Sequence, residues 1–255
     1  MLQLKMANIK QFVCMAGLPR SGSTLLSAIL SQNPNIHSEG NSAVLPLICG
    51  MQLASFEVRE QLFANNRFHT PDDLLKSIPN TYYKDINCPI VVDKARGWTL
   101  DVNQELLRRI TPNPKTIVLT RPLVEVVKSF INLHEENNYS GDLEKRLMEV
   151  WWEPSIEVPL KGVKQAKKSN KGEFLFVSYN ELVTQTKETI EKIYTFCEWD
   201  SFEHNYNEII NKHPEDDTVY KLNGMHDIRS TISKRNLTTQ LTPAMLKRCK
   251  ELDIY

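Results

Sequence analysis

Arg20 stands as the single cation in a run of small and hydroxylated residues, Gly17-Leu18-Pro19-Arg20-Ser21-Gly22-Ser23-Thr24. Ser21, Ser23 and Thr24 offer hydroxyls, and the two glycines let backbone N–H groups turn toward one point. Together these groups suit a phosphate or a sulfate. Gly17 and Gly22 are spaced as in the Walker A pattern G-x-x-x-x-G-K-[ST], but Ser23 stands where that pattern has lysine. Further along, Lys94, Arg121 and Tyr179 each follow a short apolar run, and Ser129 lies eight residues after Arg121. Glu39 is the nearest carboxylate that could accept a proton, with His37 as the rival base. A late polar stretch, His226-Asp227-Ile228-Arg229-Ser230-Thr231-Ile232-Ser233-Lys234-Arg235, is rich in cations.

The elements that must position these groups are legible from periodicity. Residues 12–16 (Phe-Val-Cys-Met-Ala) read as a buried strand broken at Gly17 and Pro19, and Leu25, Leu26, Ile29 and Leu30 recur at helical spacing. The first loop is thus a glycine-bearing turn between a strand and a helix. Residues 36–40 read as a short extended piece and residues 43–64 as a helix interrupted near Gly50. Thr70 and Pro71 predict a helix start with Thr70 as N-cap. Further strands are expected over 89–94, 116–121 and 173–179. Helices are expected over 100–110, from Pro122, through most of 141–168, over about 184–197, and from Thr242-Pro243. Trp98, Trp151 and Trp152 are assigned to the core. Short apolar strands alternating with helices predict an α/β fold, a single domain over residues 1–255 with a mainly parallel central sheet flanked by helices. Ligands of such sheets sit beyond the carboxyl ends of the strands, which is where Arg20, Lys94, Arg121 and Tyr179 fall.

Composition narrows the function. Of 255 residues, 31 are basic and 31 acidic, so no global field draws in nucleic acid or an anionic membrane, and any anion site must be local. Hydrophobic content of 41% and charged content of 24% are those of an ordinary globular chain. The five cysteines are scattered without a C-x-x-C, which suggests neither a disulfide framework nor a zinc site and fits a reducing cytoplasm. The polar residues 1–11 lack the apolar core of a signal peptide, and no apolar run reaches the ~20 residues of a membrane span.

Pro19-Arg20-Ser21-Gly22-Ser23-Thr24-Leu25-Leu26 resembles the 5′-phosphosulfate loop of sulfotransferases that use 3′-phosphoadenosine 5′-phosphosulfate (PAPS), closest to the branch of protein-tyrosine and bacterial sulfotransferases. Thr120-Arg121-Pro122-Leu123-Val124-Glu125-Val126-Val127-Lys128-Ser129 resembles that family's 3′-phosphate motif, with Pro122-Leu123 departing from its usual residues. Lys94, after Asp93, matches the catalytic lysine of the tyrosine branch. Val177-Ser178-Tyr179-Asn180-Glu181-Leu182-Val183 resembles the segment whose Tyr helps hold the nucleotide, and Ser233-Lys234 resembles a Ser-Lys pair in the late loop that folds over PAPS. Asn33-Pro34-Asn35-Ile36 aligns with the turn before the family's catalytic Glu. Counted onward, Glu39 falls about two residues early and Asn41 takes the ungapped position.

The resemblance implies a sulfuryl transfer from PAPS to a hydroxyl or amine of a small-molecule, carbohydrate or peptide acceptor, without a metal. Arg20, Lys94 and Glu39 would be catalytic. Arg20, Ser21, Gly22, Ser23, Thr24, Arg121, Ser129, Tyr179, Ser233 and Lys234 would hold the nucleotide. An acceptor pocket is expected from residues 43–77 and 137–163. Two other classes stay open from the residues alone. One is a P-loop kinase or NTPase, with Ile90-Val91-Val92-Asp93 as its Mg²⁺-binding strand. The other is a nucleotide-binding module that has the cradle but no base.

Overall fold

A computed structural model describes residues 9–169 and 172–253. Residues 1–8, which carry most of the polar N-terminal stretch, and residues 254–255 at the end of the expected domain lie outside the described residues. Five strands form one sheet: β1 (Gln11–Gly17), β2 (Ile36–Asn41), β3 (Ile90–Lys94), β4 (Thr116–Thr120) and β5 (Phe174–Ser178). Their order is β2-β3-β1-β4-β5, and every neighbouring pair is parallel. β1 is the central strand because both its faces are apolar. Val13 and Met15 pack on one side with Leu26, Ile29 and Ile193, and Phe12, Cys14 and Ala16 pack on the other with Leu45, Trp98 and Leu107. A strand buried on both faces reads as a continuous apolar run, as this one does.

The helices follow the apolar stripes. α1 (Ser23–Leu30) leaves the first loop and lies in the first core. α2 (Val44–Glu57) runs straight through Gly50, and the chain breaks at Val58 before α3 (Arg59–Ala64). The interruption expected near Gly50 is therefore displaced by eight residues. One glycine costs a helix only about 1 kcal/mol, too little to stop it. α4 (Thr70–Tyr82) begins with Thr70 inside the helix, and His69 precedes it as an N-cap without a side-chain bond. After a 3₁₀ turn (Arg96–Thr99) come α5 (Asp101–Ile110) and, beyond β4, α6 (Leu123–Glu136), which Pro122 opens.

The next stretch is α7 (Leu143–Lys145), two π-type segments (Arg146–Trp151 and Glu153–Glu157) and α8 (Val158–Lys168). Pro154 and Pro159 can donate no backbone bond here, which favours such irregular turns. After β5 come α9 (Tyr179–Thr184) and α10 (Thr186–Cys197). A capping box of Ser178 and Glu181 fixes the start of α9. α11 (Pro243–Leu252) is capped by Thr242, whose hydroxyl accepts from the Met245 N–H at 3.3 Å. Trp98 is fully buried and Trp152 nearly so, as core residues. Among the described residues no helix is long and apolar enough to cross a membrane.

Two glycines predict opposite outcomes. Gly17 has φ +119°, and a Cβ there would lie 2.0 Å from the Leu119 carbonyl oxygen, whereas a Cβ on Gly50 meets nothing within 4 Å. Gly17→Ala should destabilise the fold by at least about 2 kcal/mol through backbone strain and overlap. Gly50→Ala should stabilise it by about 0.5–1 kcal/mol. Urea denaturation of both variants checks the opposite signs.

Candidate active site

The parallel sheet brings the ends of β1, β3, β4 and β5 to one edge, and with them Arg20, Lys94, Arg121 and Tyr179. The loop after β1 carries three left-handed backbone positions, Gly17 (φ 119°), Arg20 (φ 57°) and Gly22 (φ 92°). Arg20 is not a glycine, so this conformation costs about 1–2 kcal/mol and needs contacts that hold it. Arg121 Nη1 donates to the Arg20 carbonyl at 2.7 Å, and Arg20 Nε donates to Ser129 Oγ at 3.1 Å. Arg20 Nη1 also donates to the carbonyl of Met225. The first loop, the β4–α6 motif and the late chain are thus joined at one arginine.

Gly22 precedes α1 with no side-chain cap, so the helix presents its first N–H groups and its positive end to the space above. A Cβ on Gly22 would press on Leu182 and Tyr179. Ser23 and Thr24 line an open cavity, whose wall also includes Arg20, Lys94, Arg121, Ser129, Tyr179 and Ser233. Ser21 is different. It is fully buried and spends its hydroxyl on the Leu18 carbonyl, so its side chain shapes the loop from beneath.

The cations of this cavity are costly to bury. Arg121 is only 2% exposed and its guanidinium lies 4.1 Å over the Tyr179 ring. Its Nε donates to Glu125 Oε2 at 3.0 Å, while Nη2 is buried without a hydrogen-bond partner. A buried cation with one unspent donor fits an anion. Lys94 is 6% exposed, and its best carboxylate, Glu215, is 3.9 Å away. Burial, with Arg96 and Arg20 nearby, lowers the Lys94 ammonium to about 8 against the pull of Glu215 and Asp217. Burial, then Arg235 and Arg121, lowers Arg20 to about 10.

Several residues fall elsewhere than the sequence suggests. Glu39 sits on β2 with Oε2 3.0 Å from His37 Nε2, and it is not among the residues lining the cavity. The β2–β3 register shifts between Ser38 and Asn41, so one extra residue is accommodated beside Glu39. Lys234 turns outward to Asn180 Oδ1 at 3.3 Å and Glu125 Oε1 at 3.9 Å. Its neighbours Arg229, Ser233 and Arg235 line the wall instead. Neither residues 43–77 nor residues 137–163 reach this wall. Arg96, Glu215 and Asp217 were not singled out by the sequence. Only Arg96 carried a signal, a cation two residues past the end of a strand.

These observations define a family when set beside known proteins. Residues 13–204 match the model of the sulfotransferase family. The chain belongs to the sulfotransferase family. A putative protein-tyrosine sulfotransferase of Caenorhabditis briggsae is 24% identical over 197 residues, covering 76% of this chain and 67% of that protein. In fold, the chain is similar to the sulfotransferase domain of the Synechococcus PCC 7002 olefin synthase, with TM-score 0.53 and 16% identity over 96% of this chain and 95% of that one. It is likewise similar to the sulfotransferase domain of the curacin biosynthetic pathway, with TM-score 0.54 and 16% identity over 96% and 97%.

In this sulfotransferase Asp93, the candidate Mg²⁺ ligand of the kinase reading, has no free oxygen. It is completely buried and accepts from Trp98 Nε1 at 2.7 Å, Tyr83 OH at 2.8 Å and Ser42 Oγ. The aspartate ties α4, the 3₁₀ turn and β2 to β3, and so sets where Lys94 emerges. Lys94 itself makes the sulfotransferase sensitive to alkaline pH. Its ammonium is lowered from 10.5 to about 8 in the folded state, so folding opposes the charged form. That cost is fully present below pH 8 and is relieved as pH rises toward 10.5. Relative to Lys94→Met, the wild type should gain up to about 3 kcal/mol between pH 7.5 and 10.5, read from urea midpoints.

Proposed function

We propose that this sulfotransferase takes its sulfuryl group from PAPS and delivers it to a hydroxyl or amine of a small-molecule, carbohydrate or peptide acceptor. The observation that supports the donor most directly is the buried Arg121 Nη2, a charge-assisted donor without a partner on the guanidinium that holds the Arg20 carbonyl, while Arg20 in turn bonds Ser129. An NTP would call instead for a lysine in the loop and a free Asp for Mg²⁺, and the chain has Ser23 and a saturated Asp93 in those places.

In this reading PAPS supplies an activated sulfuryl group whose 5′-phosphate leaves as charge builds on the bridging oxygen. The N–H groups opening α1, with Gly22, Ser23 and Thr24, grip the 5′-phosphosulfate, and Ser21 keeps the loop in shape. Arg121 and Ser129 read the 3′-phosphate. Tyr179 backs the Arg121 guanidinium, and Ser233 and Lys234 belong to the late chain that covers the nucleotide. Arg20 and Lys94 stabilise the developing charge without rearranging, because their positions are already set by burial and by the contacts above. Side chains supply the positive charge, so the reading needs no metal. Glu39 is the base that the sequence indicates. The chain is taken as one domain, and its scattered thiols suit a reducing cytoplasm.

Adenosine 3′,5′-bisphosphate should bind without metal and far more tightly than ATP in titration calorimetry. Tight Mg²⁺-dependent ATP binding would reverse this. Arg121→Ala should weaken the bisphosphate at least tenfold, consistent with about 1.5–3 kcal/mol for a charge-assisted bond, and change 5′-AMP affinity little. Equal losses would show that Arg121 does not read the 3′ group. Arg20→Ala should cut kcat more than it weakens PAPS binding, since its contribution grows with the leaving charge. Bisphosphate release from PAPS with phenols, sugars and amines as acceptors measures this. Wild-type protein that binds the bisphosphate and transfers to none of them would favour a binding module.

A further inference from the structure

Beside Lys94 the late chain builds a polar cluster that neither the first loop nor the Arg121 motif contains. His226 lines the same cavity as Arg20, Lys94 and Arg121 and is 8% exposed. Asp217 grips it twice. Its Oδ1 is 2.5 Å from His226 Nδ1, and its Oδ2 accepts from the His226 backbone N–H at 2.8 Å. On the other side of the ring, Nε2 is 3.4 Å from Glu215 Oε1, longer than a well-formed hydrogen bond. Glu215 is anchored independently, accepting from the Asn41 backbone N–H at 3.3 Å and from Tyr220 OH at 3.3 Å. Its Oε1 also lies 3.9 Å from Lys94 Nζ.

We infer that His226 is the base that accepts the acceptor's proton, with Asp217 and Glu215 as its positioning residues. This rests on the PAPS reading above. The Asp217 bond holds the proton of neutral imidazole on Nδ1 and leaves the Nε2 lone pair available. As the acceptor oxygen forms its bond to sulfur, the proton passes to Nε2, the sulfur–oxygen bond to the 5′-phosphate breaks, and the bisphosphate leaves with that electron pair. The imidazolium then lies between two carboxylates, which stabilise it as it forms. Lys94 stands on the same side, where it can meet both the leaving oxygen and Glu215.

The groups facing His226 are Asp217, Glu215, Lys94 and the Tyr220 ring, whose centre is 5.7 Å away. Burial first, then Lys94, lower the imidazole, and the two carboxylates raise it. The net direction is downward, which favours the neutral ring that a base requires. Glu39, by contrast, is engaged with His37 away from the cavity wall. Asn41, at the ungapped position, joins the cluster through its main chain. Its backbone N–H holds a carboxylate supplied from the late chain.

Two measurements test the assignment. In ¹⁵N NMR of wild-type protein with adenosine bisphosphate, identified against His226→Gln, neutral His226 should carry its proton on Nδ1. A neutral ring protonated on Nε2 overturns the assignment. In turnover of PAPS with phenol, His226→Gln should lose about 10²–10⁴-fold in kcat and keep bisphosphate affinity within threefold. The loss should shrink with 4-nitrophenol, which needs less help in losing its proton. Asp217→Asn should lose less than His226→Gln and shift the acidic limb of the pH–rate profile. Full activity in His226→Gln, or a loss of rate in Glu39→Gln with His226→Gln unimpaired, overturns it. Wild-type protein that fails to bind the bisphosphate overturns the donor reading and this assignment together. Binding with an unimpaired His226→Gln variant overturns only the base.

Discussion

The hydrogen bond from Arg121 to the carbonyl of Arg20 is the contact on which the site depends. It holds a non-glycine residue in the left-handed region, and in doing so sets the path of the loop between β1 and α1. The same guanidinium lies on Tyr179 at the start of α9 and keeps one donor unspent. Three strand ends are therefore registered against one another by a single side chain. Arg20 extends the chain of contacts to Ser129 and to Met225, so the late chain is held against the loop from above.

This arrangement concentrates positive charge where water is scarce. Burial lowers both Lys94 and Arg20, and each also feels the other cations around it. In an isolated protein that is a cost, met by apolar packing on both faces of the sheet. For an anionic ligand it is preorganisation, because the charges need no rearrangement when the ligand arrives. Asp93 makes the complementary point. A carboxylate at a strand end can look like a metal ligand in sequence, yet here its oxygens are consumed by Trp98, Tyr83 and Ser42. It serves as a structural brace for the lysine that follows it.

Much of the fold was legible because its signals are local. Buried parallel strands are short apolar runs, and each run expected in the sequence became a strand within a residue or two at either end. The helix signals were weaker where they depended on single residues. Gly50 did not break α2, since a helix absorbs one glycine when both its flanks are strongly helical. Thr70 did not cap α4, since the preceding turn at His69 already carries helical geometry.

What the sequence by itself determined is the side of the cavity built from the first loop and the strand ends. Loop chemistry, strand ends and the spacing of Arg121 and Ser129 are set over short separations, where backbone geometry alone fixes which groups can meet. What only the tertiary structure decided lies in the irregular chain after α10. There Glu215, Asp217 and His226 have no periodicity to announce them, and their partners Asn41 and Lys94 are more than a hundred residues away. The same chain turns Lys234 outward while Arg229 and Arg235 line the wall. A chain without regular hydrogen bonding takes its path from what it packs against, and that information resides in the folded surface.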